Sequence, residues 1–186
     1  MSELYAPPFG LAYWAGVALL LFARGLDFLS TWIATPSLLL EANPIARRLG
    51  WQGGIAVNLL VCLVAAMIPF VAVLISVTSV LVAARNFQAA WVSRTMGEYE
   101  FREHLEEQFG RADKRLVLGC VWAQGLLYSA VGVAVVALTN DLMAQAVGGG
   151  IVGFGVAIAV HSIHYYRRAR HVLSDKERVS QFSEPR

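Results

Sequence analysis

The sequence predicts an all-α integral membrane protein, a four-helix bundle with a charged cytoplasmic helix between the second and third membrane spans. Of its 186 residues, 57% are hydrophobic and only 15% are charged, whereas soluble domains average about 45–50% apolar and about 25% charged residues. Long apolar runs account for this excess, and crossing a bilayer core takes about 20 apolar helical residues. The net charge of +2 and the two cysteines favour neither a nucleic-acid partner nor a disulfide framework.

Four apolar runs predict the spans, at about residues 9–35, 53–84, 116–138 and 142–166. The second run holds Pro69 at its middle, and we interpret it as one tilted helix kinked there, because each half alone is short for a crossing. Residues 1–173 then form a single transmembrane domain, followed by a polar C-terminal tail at 174–186.

The basic residues predict the orientation of these four spans. The segment between spans two and three, together with both termini, carries twelve of the fifteen Lys and Arg residues. Cytoplasmic segments are enriched in these residues, so both termini are predicted to be cytoplasmic, with the loop at 36–52 facing outward. The first eight residues carry no positive charge, which favours a retained first span over a cleaved signal peptide.

The charged segment at 86–115 is predicted to contain a helix with one apolar stripe, because Phe101, Leu105 and Phe109 recur every four residues. Four of its residues are interpreted as a solvated charged face: Glu100, Glu103, His104 and Glu107.

Arg24 and Asp27 are two charges inside the first span. Each costs roughly 2.5–3.5 kcal/mol near the centre of a membrane helix. Their spacing of three places them on one helical face, with Thr31 one turn further. Two interpretations stay open: an internal ion pair that locks the span against its neighbours, or a proton or cation site or substrate anchor.

Further polar residues are predicted to converge on Asp27. Pro44 restricts Asn43 to an extended backbone, which suits Asn43 as a helix N-cap with Glu41 close by. Asn58 in span two matches the depth of Asp27. Two carboxylates with amide and hydroxyl oxygens are ligands for a hard cation or a proton-coupled site. Two interpretations of the loop that carries Glu41 stay open: a loop that dips into the bilayer or lies on it, and a well-capped interfacial turn.

Small residues recur every fourth position in span four, at Gly149, Gly153 and Ala157. They predict a close helix contact, either within the chain or along a homo-oligomer seam. His161 and His164 follow at the end of the same span. They are candidates for a metal, haem or proton relay, against the alternative of ordinary interfacial residues, so a cofactor stays undecided.

The pattern Asp27-x-x-Ser30-Thr31 followed by Glu41-x-Asn43-Pro44 resembles a group of small, uncharacterised prokaryotic polytopic membrane proteins. The resemblance covers the first third of the chain and implies a membrane location, here a bacterial inner membrane.

The leading functional hypothesis is transport or conduction of a small cation or proton through an outer-side polar site centred on Asp27. With four spans per chain, we expect a homo-oligomer or a partner membrane subunit surrounded by membrane lipid. The alternatives are a non-catalytic subunit or scaffold of a larger membrane complex and an intramembrane enzyme acting on a lipid. The sequence lacks the phosphate-binding, zinc-protease and serine-hydrolase motifs, which favours a non-enzymatic role.

Overall fold

The structure, a computed structural model, describes residues 5–41 and 44–183 and shows an all-α chain in this part. Its helices are α1 (Leu11–Ala34), α2 (Pro44–Ala65), α3 (Pro69–Met96), α4 (Glu98–Arg111), α5 (Lys114–Leu138) and α6 (Leu142–Ser183). Five of them contain a stretch long and apolar enough to cross a membrane, at Leu11–Ala34, Arg47–Ala65, Pro69–Met96, Lys114–Leu138 and Leu142–Arg167. These lengths and compositions indicate a multi-pass membrane protein.

The prediction of one kinked span around Pro69 is wrong, because the chain forms two separate helices there. The backbone of Ile68 is extended, with φ −123° and ψ 97°, as the residue before a proline favours. Pro69 then occupies the first turn of α3, where its missing N–H costs nothing. Each helix is long enough alone, since α2 begins nine residues before the predicted span and α3 continues to Met96.

The helices α1 and α3 lie side by side and run in the same direction. Near their first turns, Ala6 N donates a hydrogen bond to Met67 O (2.9 Å). Near their last turns, Ser93 Oγ donates to Ala34 O (2.7 Å). Such parallel neighbours need a crossing helix between them, and α2 makes that crossing, with its second turn interrupted at Gly50. The φ of +62° and ψ of −170° at Gly50 are accessible essentially only to glycine.

The helix α6 is also parallel to α3 and antiparallel to α5. Thr78 Oγ1 donates to Gly150 O (2.9 Å). Further along both helices, Arg85 donates to Ser162 Oγ (3.4 Å). On its other side, α6 packs closely against α5, where Gly132 faces Gly148.

This arrangement separates a basic end of the bundle from an opposite end. The basic end comprises the ends of α1 and α3, the starts of α2 and α5, all of α4 and the later part of α6. The opposite end comprises residues 5–10, 66–68 and 139–141, which contain no Lys or Arg. The prediction that the 36–52 loop faces away from the charged middle segment is therefore wrong. The prediction that both termini share a side is also wrong, because residues 5–10 and the end of α6 lie at opposite ends.

Small residues set the distance between α1 and α3. The buried residues of α3 fall at spacings of three, four and seven: Ala72, Ser76, Ser79, Ala83, Ala90 and Ser93. Helices associate in lipid through close backbone approach and polar contacts, because burying apolar surface gains little there. This stripe therefore provides the contact that an ordinary hydrophobic core provides in water.

The helix α4 packs on the later part of α6 at the basic end. The ring of Phe109 lies 5.6 Å from that of Tyr165 and 6.1 Å from that of Tyr166. On the opposite face of α4, His104 and Glu107 are exposed. The helix α6 continues through residue 183, so the described part of the expected polar tail is helical.

Replacing Gly132 by Ala should destabilise the protein. A Cβ at Gly132 would lie 2.5 Å from the carbonyl oxygen of Gly148, and such overpacking costs roughly 1–3 kcal/mol. Gly119→Ala in the same helix is the matched control, since no atom lies within 4 Å of its added Cβ. Thermal unfolding in detergent should show a lower midpoint for Gly132→Ala alone. Equal midpoints for the two variants would contradict the close packing of α5 and α6.

Candidate functional site

The guanidinium of Arg24 joins three helices near the middle of the bundle. Its Nη1 donates to Asp27 Oδ2 on α1 (2.8 Å) and to Ser79 Oγ on α3 (3.2 Å). Its Nε donates to Asn58 Oδ1 on α2 (2.7 Å). The amide of Asn58 is itself positioned, because its Nδ2 donates to Gly54 O. The structure thus brings together three of the sequence-predicted site residues, Arg24, Asp27 and Asn58.

Asp27 begins a row of polar side chains that follows the α1–α3 interface toward the basic end. Ser30 Oγ donates to the backbone oxygen of Asp27 (2.9 Å). One turn further, Asn86 Nδ2 from α3 lies 3.3 Å from Ser30 Oγ and 3.4 Å from Thr31 Oγ1. Thr31, another predicted site residue, therefore lies in this polar row without contacting Arg24.

The row ends at Glu98, the first residue of α4. Its carboxylate accepts a hydrogen bond from Thr35 Oγ1 (2.9 Å), from Ser37 N (3.2 Å) and from the Ser37 hydroxyl. Leu38 in the same loop has a φ of +58°, a conformation that costs a non-glycine residue of order 1 kcal/mol. We call this contact the Glu98 latch, because it holds the loop after α1 against the start of α4.

Toward the opposite end, the interior beside Arg24 is mainly apolar, and the buried hydroxyl of Ser76 on α3 has no hydrogen-bond partner in the part of the chain that the structure describes. Leu20, Val17 and Tyr13 of α1 pack there with Cys62 and Ala66 in one buried cluster. Among the described residues, the polar row therefore leads from the basic end to the middle of the bundle and stops at Arg24. The sequence predicts the site at the end of the bundle away from the charged segment. This prediction is wrong, since the row ends at Glu98 of the charged segment.

Glu41 lies near this row, at the end of the same loop. Its backbone N–H donates to Leu38 O (3.3 Å), and its carboxylate is within electrostatic range of Asp27 and His161. The two carboxylates of the predicted site therefore repel each other. Asn43, the proposed N-cap, lies outside the described residues.

The histidine and glycine predictions concern α6. His161 and His164 are both exposed and lie within electrostatic range of each other. Gly149 and Gly153 face Leu74 and Thr78 of α3, so the glycine face makes a contact within the chain, and Ala157 is half-buried one turn further. A second copy of the chain would have to bind elsewhere.

Within residues 5–41 and 44–183, no group of three or more His, Cys, Asp and Glu residues is suited to hold a metal ion. Metal or haem binding by His161 and His164 stays a prediction, as does ion binding at Asp27.

Sequence reasoning missed three residues of the row: Ser79, Asn86 and Glu98. Ser79 and Asn86 belong to the small and polar residues that recur along one face of α3. The sequence contains this recurrence, but the interpretation of 53–84 as a single span hides it. Glu98 carried no comparable signal, because its partners Thr35 and Ser37 lie more than 60 positions away.

No protein-family model, no curated protein and no solved structure matches this chain.

The Glu98 latch should make stability depend on pH. Burial alone would raise the pKa of the Glu98 carboxyl, but the hydrogen bonds from Ser37 and Thr35 and the charge of Arg94 lower it below its ordinary value of 4.5. A lowered folded-state pKa contributes stability above the ordinary value, and this contribution is lost as pH falls through the folded-state pKa.

We therefore expect the unfolding midpoint of the wild type to fall more than that of Glu98→Gln as pH drops below about 4.5. Glu100→Gln, exposed on the same helix, should follow the wild type. Parallel pH profiles for wild type and Glu98→Gln would show that the latch does not involve the ionised carboxylate.

Proposed function

We propose that this protein moves a proton or small cation across the membrane, with Asp27 as the binding group. The observation that supports this most is the polar row, which leads from the basic end to an ionisable pair in the middle of an apolar bundle. Ionisable groups at this depth are costly and typically mark ion pathways or proton relays. Hydroxyl and amide groups of Ser30, Thr31 and Asn86 supply hydrogen-bonding positions along the way.

Arg24 would act as a built-in competitor for the ion. A carboxylate paired with a guanidinium at 2.8 Å has little affinity for a further cation or proton. Binding at Asp27 thus requires the pair to separate. Asn58 and Ser79 hold the guanidinium from α2 and α3, so Arg24 keeps two hydrogen-bond acceptors when Asp27 is released.

The apolar cluster around Leu20 would close the other half of the pathway in the conformation described here. Completing a crossing requires either a movement of α2 away from this cluster or a surface contributed by another chain. We propose a homo-oligomer or a partner membrane subunit for the latter, contacting a face other than that of Gly149 and Gly153.

We also infer that the basic end faces the cytoplasm, because Lys and Arg are enriched in cytoplasmic segments and the opposite end has none in its described segments. The site would then open to the cytoplasm, of a bacterial inner membrane if the resemblance of the first third holds.

Cysteine labelling should report this orientation. The native thiols are first removed by Cys62→Ser and Cys120→Ser, because Cys120 is exposed. In whole cells, a membrane-impermeant maleimide should then label Asn140→Cys at the opposite end and leave Glu100→Cys at the basic end unlabelled until the membrane is permeabilised. Both positions are exposed, so accessibility within the fold does not bias the comparison. The reverse labelling pattern would invert the proposed orientation.

Ion flux into liposomes tests the transport proposal. We expect proton or monovalent-cation flux with the wild type and at least a tenfold loss with Asp27→Asn, because the amide cannot carry the charge. Asp141→Asn is the matched control, since Asp141 caps α6 at the opposite end by accepting from Ala144 N and Asn caps equally well. Full flux through folded Asp27→Asn would refute the role of Asp27.

A structural clasp within a scaffold subunit is the second candidate, favoured by the engagement of one guanidinium with three helices. It predicts no flux from correctly inserted wild type. It also predicts that Arg24→Gln lowers stability, whereas the paired change Arg24→Met with Asp27→Leu restores it, because removing both charges leaves none buried unpaired.

A further inference from the structure

A second intramembrane arginine, Arg85 on α3, lies apart from the Asp27 row and faces α6. Its side chain is half-buried, and its guanidinium donates one long hydrogen bond of 3.4 Å to Ser162 Oγ. Among the described residues, the ion pairs are Arg24–Asp27, Arg102–Glu106 and Arg111–Glu107, so none neutralises Arg85. An arginine stays charged at any physiological pH, and a charge at this position calls for an anion.

The helices around Arg85 leave a crevice open to the side. The helix α6 packs against both α3 and α5, but α3 and α5 do not form an interface with each other. Tyr128 of α5 borders this gap within electrostatic range of Arg85, and its ring packs edge-on against that of Phe154 at 4.9 Å. We call this gap, lined by Arg85, Tyr128 and Ser162, the α3–α5 crevice; Phe154 is buried behind Tyr128.

The depth of the crevice matches a lipid headgroup. Ser162 precedes Arg167, where the apolar part of α6 ends, by five residues, or about 8 Å along the helix. The guanidinium therefore lies close to the level at which hydrocarbon gives way to headgroups. His161 adds a second nitrogen-bearing side chain within electrostatic range of Arg85, and the ring of Tyr128 lies deeper, where an acyl chain would pass.

We propose that the α3–α5 crevice binds an anionic phospholipid, with its phosphate on Arg85 and Ser162 and one acyl chain against the exposed ring of Tyr128. Charge complementarity and depth favour a lipid over a soluble anion, since a free phosphate would leave the exposed ring of Tyr128 uncovered. Basic pockets between membrane helices commonly bind lipid headgroups in this way. The proposal is independent of the function of Asp27.

Native mass spectrometry from mixed micelles tests this binding. Wild-type protein is equilibrated with phosphatidylglycerol, phosphatidylcholine or inorganic phosphate, and the bound fraction is compared with that of Arg85→Gln. We expect wild type to retain one phosphatidylglycerol in preference to phosphatidylcholine. Arg85→Gln should bind phosphatidylglycerol with an affinity at least roughly tenfold lower, because hydrogen bonds to charged groups contribute about 1.5–3 kcal/mol.

Arg94→Gln is the matched control, because Arg94 lies on the same helix over the ring of Trp32 and outside the crevice. It should retain phosphatidylglycerol as wild type does. If Arg85→Gln fails to fold, Arg85→Lys and Ser162→Leu replace it: the first should keep binding, and the second should reduce it by filling the headgroup position.

Three results would overturn the proposal. Equal retention of phosphatidylglycerol and phosphatidylcholine would show that the anionic charge is not recognised. Equal loss in Arg94→Gln would indicate a diffuse attraction to the basic end. Inorganic phosphate that displaces the lipid and binds to wild type alone would identify a soluble anion as the ligand.

Discussion

The hydrogen bonds of Arg24 are the interaction on which the arrangement of the first three helices depends. Lipid-exposed helices gain little by burying apolar surface against one another, so apolar side chains alone do not decide which of them become neighbours. A guanidinium has five N–H donors in a fixed plane and loses their hydration inside the bilayer. It is satisfied only where α1, α2 and α3 bring Asp27, Asn58 and Ser79 together, and this requirement selects one register for all three helices.

The register fixed by Arg24 divides the α1–α3 interface into two halves of different character. On one side, the hydroxyl and amide groups of the row continue to the Glu98 latch. On the other, Leu20 and its neighbours are packed without polar contacts to the row. The proposed transport follows from this asymmetry, since an ion that enters the polar half reaches Asp27 and must then wait for a rearrangement. The α3–α5 crevice lies on the face of α3 that is turned toward α6, so a lipid bound there would contact the same helix that carries Ser79 and Asn86.

The sequence predicts helix composition well and helix number poorly. Apolar run lengths identified the membrane character, and the shared face and matched depth of Arg24, Asp27 and Asn58 predicted their meeting. The interpretation of Pro69 as a kink is wrong. The break between α2 and α3 occupies only residues 66–68, which are as apolar as the helices on either side, so hydropathy does not reveal it. One missed crossing reverses the side predicted for every segment that precedes it. The loop that carries Glu41 is therefore predicted on the side opposite α4, although its first residues contact Glu98 of α4. The Glu98 latch depends on tertiary contacts and has no local signature.

The parallel neighbours α1 and α3 impose an order on assembly during synthesis. The helix α1 leaves the ribosome long before Ser79, more than 50 residues downstream, so Arg24 first enters the bilayer without its partners on α2 and α3. Asp27 is the exception, because it lies one turn away in the same helix and can neutralise Arg24 at once. The spacing of three residues thus lowers the cost of inserting α1 alone and keeps a nascent intermediate in the membrane until α3 arrives. If the carboxylate that pairs with Arg24 were on a later helix, the final contact would be the same. The inserted α1 would then carry an unpaired charge and be far less stable.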